Sequence, residues 1–141
     1  MNVRVMTGVA MVAVGLWAGS GHAQQSGRLP SPRVTGHIQG YECMLLRDGF
    51  QEATADQLPR VRAEPRANAP VVGIATISVI VKSPHVARNG YLEVMHLDGR
   101  PGWVDQKVLV PWINDNAPGV RCVPAMMSNG RPGFDYIRPQ R

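Results

Sequence analysis

Few residues in this chain have the types and spacing that catalysis requires. The serines lie outside any G-x-S-x-G motif, no GxxxxGK segment is present to hold a phosphate, and no C-x-x-C pair occurs. His37, His85 and His96 stand too far apart along the chain for the common metal-ligand spacings. The acidic residues are spread through turns and expected surface positions and give a paired-carboxylate hydrolase no positive support: Glu42, Glu52, Glu64, Glu93, Asp98 and Asp105. We therefore expect neither an enzyme nor a bound metal or cofactor.

The N-terminus has the order of an export signal. Arg4 precedes an apolar run over residues 5–17, and the small residues Gly21 and Ala23 occupy the two key positions before a cleavage site after residue 23. The run is shorter than the roughly 20 apolar residues that cross a bilayer. Residues 1–23 are therefore predicted to be a signal peptide, with a buried N-terminal helix as the alternative. The protein is expected to be periplasmic or secreted, and peripheral rather than transmembrane.

The two cysteines, Cys43 and Cys122, are the only ones in the chain. An even number of cysteines in an exported protein favours a structural disulfide. A redox pair or a metal site is the alternative, and neither has a supporting spacing. In the entropy model, a disulfide that closes a loop of about 80 residues stabilises the fold by roughly 4 kcal/mol.

Positive charge is scattered along the chain rather than gathered in one segment. The sequence has 15 Lys and Arg against 10 Asp and Glu, with a formal net charge of +5. No basic block of the kind that binds nucleic acid is present, so we expect no nucleic-acid partner. A cell-wall polymer, an acidic lipid head group or an acidic protein fits the charge better.

Composition divides the rest of the chain into segments. Residues 24–40 are rich in Gly, Pro, Ser and Gln and are predicted to be a flexible linker, followed by an N-terminal flank over 41–57. Residues 58–112 contain short β-branched runs separated by Gly and Pro, and 91–97 alternates between two faces as a strand does. Residues 113–141 lack strong periodicity. The predicted fold class is all-β, a small barrel with irregular flanking segments and one disulfide.

Residues 58–112 resemble the bacterial SH3-like (SH3b) domain, a match that covers about half of the predicted mature chain. The pieces follow the order of the family pattern: Val61-Arg62 with Pro65, Pro70-Val71-Val72-Gly73, Gly90-Tyr91-Leu92-Glu93-Val94, Gly99-Arg100-Pro101-Gly102-Trp103-Val104 and Val108-Leu109. The chain departs from that pattern at Ile77 and Ser78, where a glycine is usual, and at Tyr91, where tryptophan is usual. The resemblance implies an SH3-like barrel that acts by binding, because these modules bind cell-wall peptides or protein partners.

Three residues of this segment are the ligand-binding candidates, Arg62, Tyr91 and Trp103. The resemblance implies that the aromatic residues line a groove, and Arg62 is suited to an acidic ligand; core packing of Trp103 and a structural salt bridge of Arg62 are the alternatives. We predict a non-enzymatic periplasmic binding module that contacts a cell-wall peptide or an envelope protein. The alternative is a structural or accessory scaffold whose flanks dock onto a partner complex and whose groove is filled by its own tail.

Nearly the same six residues occur twice, DGRPGW at 98–103 and NGRPGF at 129–134. A glycine after Asp or Asn favours a tight turn in both copies. The segment before the first copy is predicted to be a strand, whereas CVPAMMS at 122–128 is not. We interpret the copies as one turn used twice rather than as repeated domains. The second turn is expected to let Phe134 and Tyr136 pack back on the barrel.

Overall fold

The computed structural model describes residues 29–140, and those from Ser31 onward form one compact unit. Its strands are β1 (Val34–His37), β2 (Tyr41–Leu46), β3 (Arg60–Arg62), β4 (Val71–Ile74), β5 (Ser78–Lys82), β6 (Ala87–Arg88), β7 (Tyr91–Met95), β8 (Pro101–Asp105), β9 (Leu109–Pro111), β10 (Arg121–Met127) and β11 (Pro132–Ile137). One turn of 3-10 helix, Gln106–Val108, connects β8 to β9. The predicted all-β fold class is confirmed, and the predicted signal peptide lies outside the described residues. Within residues 29–140, no helix is long and apolar enough to cross a membrane.

Eight strands form a large antiparallel sheet in the order β4-β3-β8-β7-β5-β2-β9, with β6 paired to the start of β7. One face of this sheet carries the hydrophobic core. Leu92 and Val94 of β7 are buried in it, whereas the residues that alternate with them are half-buried, as the predicted strand alternation requires. The buried core residues are Met44, Leu46, Val61, Ala75, Val79, Val81, Leu92, Val94, Val104 and Leu109. On the opposite face, β3, β7 and β8 carry charged and aromatic side chains, whereas Ile80 of β5 is itself fully buried.

The predicted barrel is not closed. The hydrogen-bonded order of the large sheet ends at β4 on one edge and at β9 on the other. β9 pairs with β2, which also pairs with β5. Because β2 lies in the segment assigned to the N-terminal flank, the pattern within residues 58–112 did not include this partner. The sheet therefore begins at Tyr41 rather than at Leu58.

A small antiparallel sheet has the strand order β1-β10-β11. The sequence predicts a flexible linker over residues 24–40 and an irregular flank over 113–141, but β1 lies in the first segment and the hairpin of β10 and β11 in the second. Both predictions are therefore wrong for these stretches. Pro124 lies in the central strand, where proline is rare because it has no amide hydrogen to donate. This proline is the physical reason that the segment did not look like a strand.

The predicted disulfide between Cys43 and Cys122 is present. It joins β2 of the large sheet to β10 of the small one, with the two Cα atoms 5.9 Å apart. The neighbouring part of β10 is well packed, since Ala125 is fully buried. The disulfide therefore fixes the two sheets side by side along these two strands.

The two similar six-residue segments form the same hairpin turn. In the first, the Gly99 amide donates to the His96 carbonyl at 2.8 Å and the His96 amide to the Arg100 carbonyl at 2.8 Å. The Arg100 amide donates to Asp98 Oδ1 at 2.9 Å. The second turn makes the same three bonds with Gly130, Met127, Arg131 and Asn129. The interpretation as one turn used twice is confirmed, although the strand before the second copy was not predicted.

Candidate functional site

The outer face of the large sheet, opposite the core, brings charged and aromatic side chains into one row. Arg62 of β3 lies directly across from Trp103 of β8, which lies across from Glu93 of β7. Lys82 of β5 continues the row, because its Nζ lies 3.2 Å from Glu93 Oε1. The row therefore places Trp103 between a cation and a carboxylate.

A surface pocket of about 260 Å³, here called the Arg–Tyr pocket, opens beside this row. Its walls are formed by Phe50, Gln57, Pro59, Arg60, Arg62, Tyr91, Asp105 and Val108. Two of the predicted binding residues, Arg62 and Tyr91, thus meet in one pocket, and Trp103 lies outside its walls. Among residues 29–140, the C-terminal hairpin contributes nothing to the lining. Neither Arg60 nor Phe50 was singled out from the sequence. A signal for Arg60 was present, because residues two apart on a strand share a face and Arg60 stands two residues before Arg62.

Both arginines of the Arg–Tyr pocket are held by backbone carbonyl groups. Arg62 Nη1 donates to the Ala69 carbonyl at 3.1 Å, and Arg60 Nη2 donates to the Asp56 carbonyl at 3.1 Å. Within the described part of the chain, neither guanidinium forms an ion pair. The pocket's carboxylate, Asp105, accepts a hydrogen bond from the backbone of the following 3-10 turn. The pocket therefore contains two oriented cations and one carboxylate that already accepts one hydrogen bond.

Trp103 is covered on one face by a cation from the same chain. The guanidinium carbon of Arg88 lies 5.9 Å from the centroid of the Trp103 ring, within the range of a cation–π contact. The indole is half-buried on the outer face. In this structure, Trp103 packs against Arg88 and is not an open platform beside Tyr91.

Each histidine of the described chain pairs with a single carboxylate. The pairs are His37 with Asp135, His85 with Glu42, and His96 with Asp98. Among residues 29–140, no group of three or more metal-ligating side chains comes together. His37 and His85 therefore join distant segments of the chain, whereas His96 is bonded within its own turn.

The first hairpin turn is held by an Asp–Arg pair. Arg100 Nε donates to Asp98 Oδ2 at 2.6 Å, and Arg100 Nη2 donates to the Val72 carbonyl of β4 at 2.8 Å. The hydrogen bonds from the side chain and then the backbone of Arg100 hold the pKa of Asp98 well below its ordinary value, with a smaller contribution from His96. The same pairing raises the pKa of Arg100. These contacts fix the turn against β4.

A larger cavity of about 390 Å³, here called the intersheet cleft, lies between the two sheets beside the disulfide. It is lined by Glu42, Cys43, Met44, His85, Pro111, Trp112, Val120, Arg121 and Cys122. Sequence reasoning placed only the disulfide here. A signal was nevertheless present, because Glu42 and Arg121 each directly precede a cysteine and the disulfide brings them to one place.

Comparisons of the chain with models of protein families, with curated protein sequences and with solved structures find no match. The fold and the site define the class: an antiparallel protein of two β-sheets joined by one disulfide, with a cationic pocket on the larger sheet. The resemblance to the SH3-like domain stays a prediction.

Proposed function

We propose that this protein is a non-enzymatic, SH3-like binding module of the cell envelope, and that the Arg–Tyr pocket takes an acidic side chain or terminus of a peptide. The peptide belongs either to the cell wall or to an envelope protein. The observation that carries the proposal is the pair Arg60 and Arg62, two guanidinium groups that are oriented by backbone carbonyls and form no ion pair among residues 29–140.

The chemistry of the pocket favours a carboxylate. A guanidinium presents five N–H donors in a fixed plane, so Arg62, which donates to one carbonyl, and Arg60, which donates to two, both retain donors for a carboxylate. Tyr91 and Phe50 supply aromatic surface on the same walls for the apolar part of the ligand. The positive charge of the chain as a whole draws an acidic partner toward the surface.

The size of the pocket supports a peptide side chain over a whole small molecule. Pockets that enclose small-molecule ligands usually measure about 300–1,000 Å³, and this one measures about 260 Å³. It accommodates one acidic group of a longer chain that continues across the outer face. That face carries Glu93 and Lys82, which offer further polar contacts.

An envelope location is supported by two independent features. The disulfide fits an oxidising compartment, where such bonds form and persist. The N-terminal sequence has the order of a cleaved export signal. The resemblance to SH3-like modules implies the same compartment and the same class of ligand.

The test is retention of the purified protein on isolated cell walls and, separately, on washed envelope proteins. Retention on one of the two materials identifies the source of the peptide. Each of the variants Arg62→Gln and Arg60→Gln is expected to weaken binding to that material about tenfold, the usual effect of losing one charged hydrogen bond. Arg66→Gln is the matched control, because Arg66 is exposed and pairs with Glu64 outside the pocket. Retention on neither material, or equal retention of all variants, contradicts the proposal and favours the scaffold alternative.

A further inference from the structure

The geometry points to a second binding site, in the intersheet cleft, that takes a small zwitterion such as a dipeptide with free termini. Glu42 binds the ammonium group, Arg121 binds the carboxylate, and Trp112 packs against the apolar side chain. The cleft shares no wall residue with the Arg–Tyr pocket, so this inference does not rest on the proposed function.

The cleft has the size and the composition of a small-molecule site. Its volume of about 390 Å³ lies within the range that encloses small ligands, about 300–1,000 Å³. Most of its walls are apolar or carry sulfur, and they include Pro111, Trp112, Val120 and the disulfide. An apolar cavity with a few polar groups at its rim is the usual form of a ligand site.

Two residues of opposite charge line the cleft, Glu42 and Arg121. Glu42 precedes Cys43 on β2, and Arg121 precedes Cys122 on β10, while the cysteine Cα atoms lie only 5.9 Å apart. Glu42 and Arg121 nevertheless form no ion pair with each other. The partner of Glu42 is His85, which also lines the cleft. The carboxylate of Glu42 and the guanidinium of Arg121 are thus not paired with each other, and together they match a ligand that carries both charges.

The partners of Glu42 leave it able to bind an ammonium group. Its Oε1 is hydrogen-bonded to His85 Nε2, and the Ser83 hydroxyl lies 3.4 Å from its Oε2. The Glu42 side chain is 45% exposed, so its carboxylate retains acceptor positions beyond those used by His85 and Ser83. His85 and Ser83 orient the carboxylate without filling those positions.

Trp112 is fixed in place by a neighbouring ring. Its centroid lies 5.9 Å from that of Tyr136 on β11, with the two rings tilted by 32°. This aromatic contact restrains the indole before a ligand arrives, which lowers the entropy cost of binding. The rim around Trp112 therefore offers a pre-formed surface for an apolar or aromatic side chain.

The experiment is calorimetric titration of the purified full chain with the dipeptide alanyl-phenylalanine, its N-acetylated form and its C-amidated form. We expect saturable one-to-one binding of the free dipeptide, and about tenfold weaker binding of each blocked form, because each loses one charged hydrogen-bonded contact. Absence of saturable binding up to millimolar dipeptide overturns the inference.

Variants assign each charge to its residue. Arg121→Gln is expected to weaken binding of the free dipeptide about tenfold and to abolish the difference between it and the amidated form. Glu42→Gln is expected to weaken binding of the free dipeptide about tenfold and to abolish the difference between it and the acetylated form. Thermal unfolding of each variant establishes that it is folded, and Arg121→Lys, which keeps the charge, is expected to retain most of the affinity.

Arg131→Gln and Glu52→Gln are the matched controls, because both residues are exposed and lie outside the cleft. Both are expected to bind as the wild type does. If Arg121→Gln keeps both the affinity and the discrimination against the amidated dipeptide, the cleft is not the binding site. Arg62→Gln is expected to leave dipeptide binding unchanged, which separates this test from that of the Arg–Tyr pocket.

Discussion

Gly102 of β8 lies against Val61 of β3 so closely that a β-carbon at Gly102 would be 2.4 Å from Val61 Cγ1. A β-carbon there would also approach the backbone oxygen of Arg62, at 3.2 Å. In the first turn segment, the turn itself requires Gly99, whose φ is positive, whereas Gly102 is therefore required by the close approach of two strands. In the second segment, Gly133 occupies the same position, and its close neighbour is the flexible side chain of Met127.

We predict that Gly102→Ala destabilises the protein by about 1–3 kcal/mol, the usual cost of overpacking a well-packed interior. Gly133→Ala is expected to cost less, because the unbranched side chain of Met127 adapts more readily than the β-branched side chain of Val61. Urea unfolding measures both free energies. Gly36→Ala is the control, since nothing lies within 4 Å of a β-carbon at that position. Equal losses for Gly102→Ala and Gly36→Ala would refute the packing argument.

The disulfide is predicted to be a major source of stability. Cys43 and Cys122 are 79 residues apart in the chain, and a loop of that size corresponds to about 4 kcal/mol in the entropy model. The double variant Cys43→Ala, Cys122→Ala is expected to lose roughly this free energy of unfolding. Urea denaturation measures the loss, and two free thiols detected in the untreated wild type would contradict the bond itself.

The Asp98–Arg100 pair predicts a pH dependence with a definite sign. The pKa of Asp98 is lowered from its ordinary value of 3.8, mainly by the hydrogen bond from the Arg100 side chain. A carboxyl group whose pKa is lowered on folding stabilises the fold above its unfolded pKa, and this contribution is lost as the pH falls through the folded pKa. The contribution of Asp98 is therefore fully present at neutral pH and declines below about pH 4.

The measurement is the carboxyl ¹³C chemical shift of Asp98 as a function of pH. We expect its titration midpoint to lie well below the ordinary value, and to move up toward it in Arg100→Gln, because the principal hydrogen-bond donor is then lost. An ordinary midpoint in the wild type contradicts the pairing described for the turn.

The contact between Arg88 and Trp103 predicts a spectroscopic effect. Arg88→Gln removes the cation from the ring face and is expected to shift the ring proton signals of Trp103 and to lower stability by at most about 1 kcal/mol. Arg47→Gln, at an exposed position, is the control and is expected to leave those signals unchanged. Unchanged Trp103 signals in Arg88→Gln would mean that the cation does not occupy the ring face in solution.

The features that were predicted correctly depend on local chemistry. The alternation of residue types from Tyr91 to Met95 identifies a strand, because successive side chains of a strand point to opposite faces of the sheet. The pairing of Cys43 with Cys122 follows from an even count and an expected oxidising compartment. The turn at Gly99 follows from the Asp-Gly pair, and its positive φ of 88° explains why glycine stands there.

The features that were missed depend on contacts between distant segments. β10 contains Pro124, a residue that is rare in central strands, and its place in the small sheet depends on pairing with β1 and β11. β2 completes the large sheet from outside the segment that resembles an SH3-like domain. The Arg–Tyr pocket joins Phe50 and Arg60 to Tyr91 and Val108, and no sequence spacing relates those residues. In each of these cases the structure depends on contacts between segments that are far apart in the sequence.

The small sheet also bears on the order of folding. Its first strand is held by residues near the other end of the described chain, as the bond between His37 and Asp135 illustrates with a sequence separation of 98. Such contacts form only after the entropy cost of closing a very long loop has been met, whereas the hairpins of the large sheet close over short loops. We therefore expect the large sheet to fold early and the Cys43 thiol to stay unpaired until β10 packs against β2.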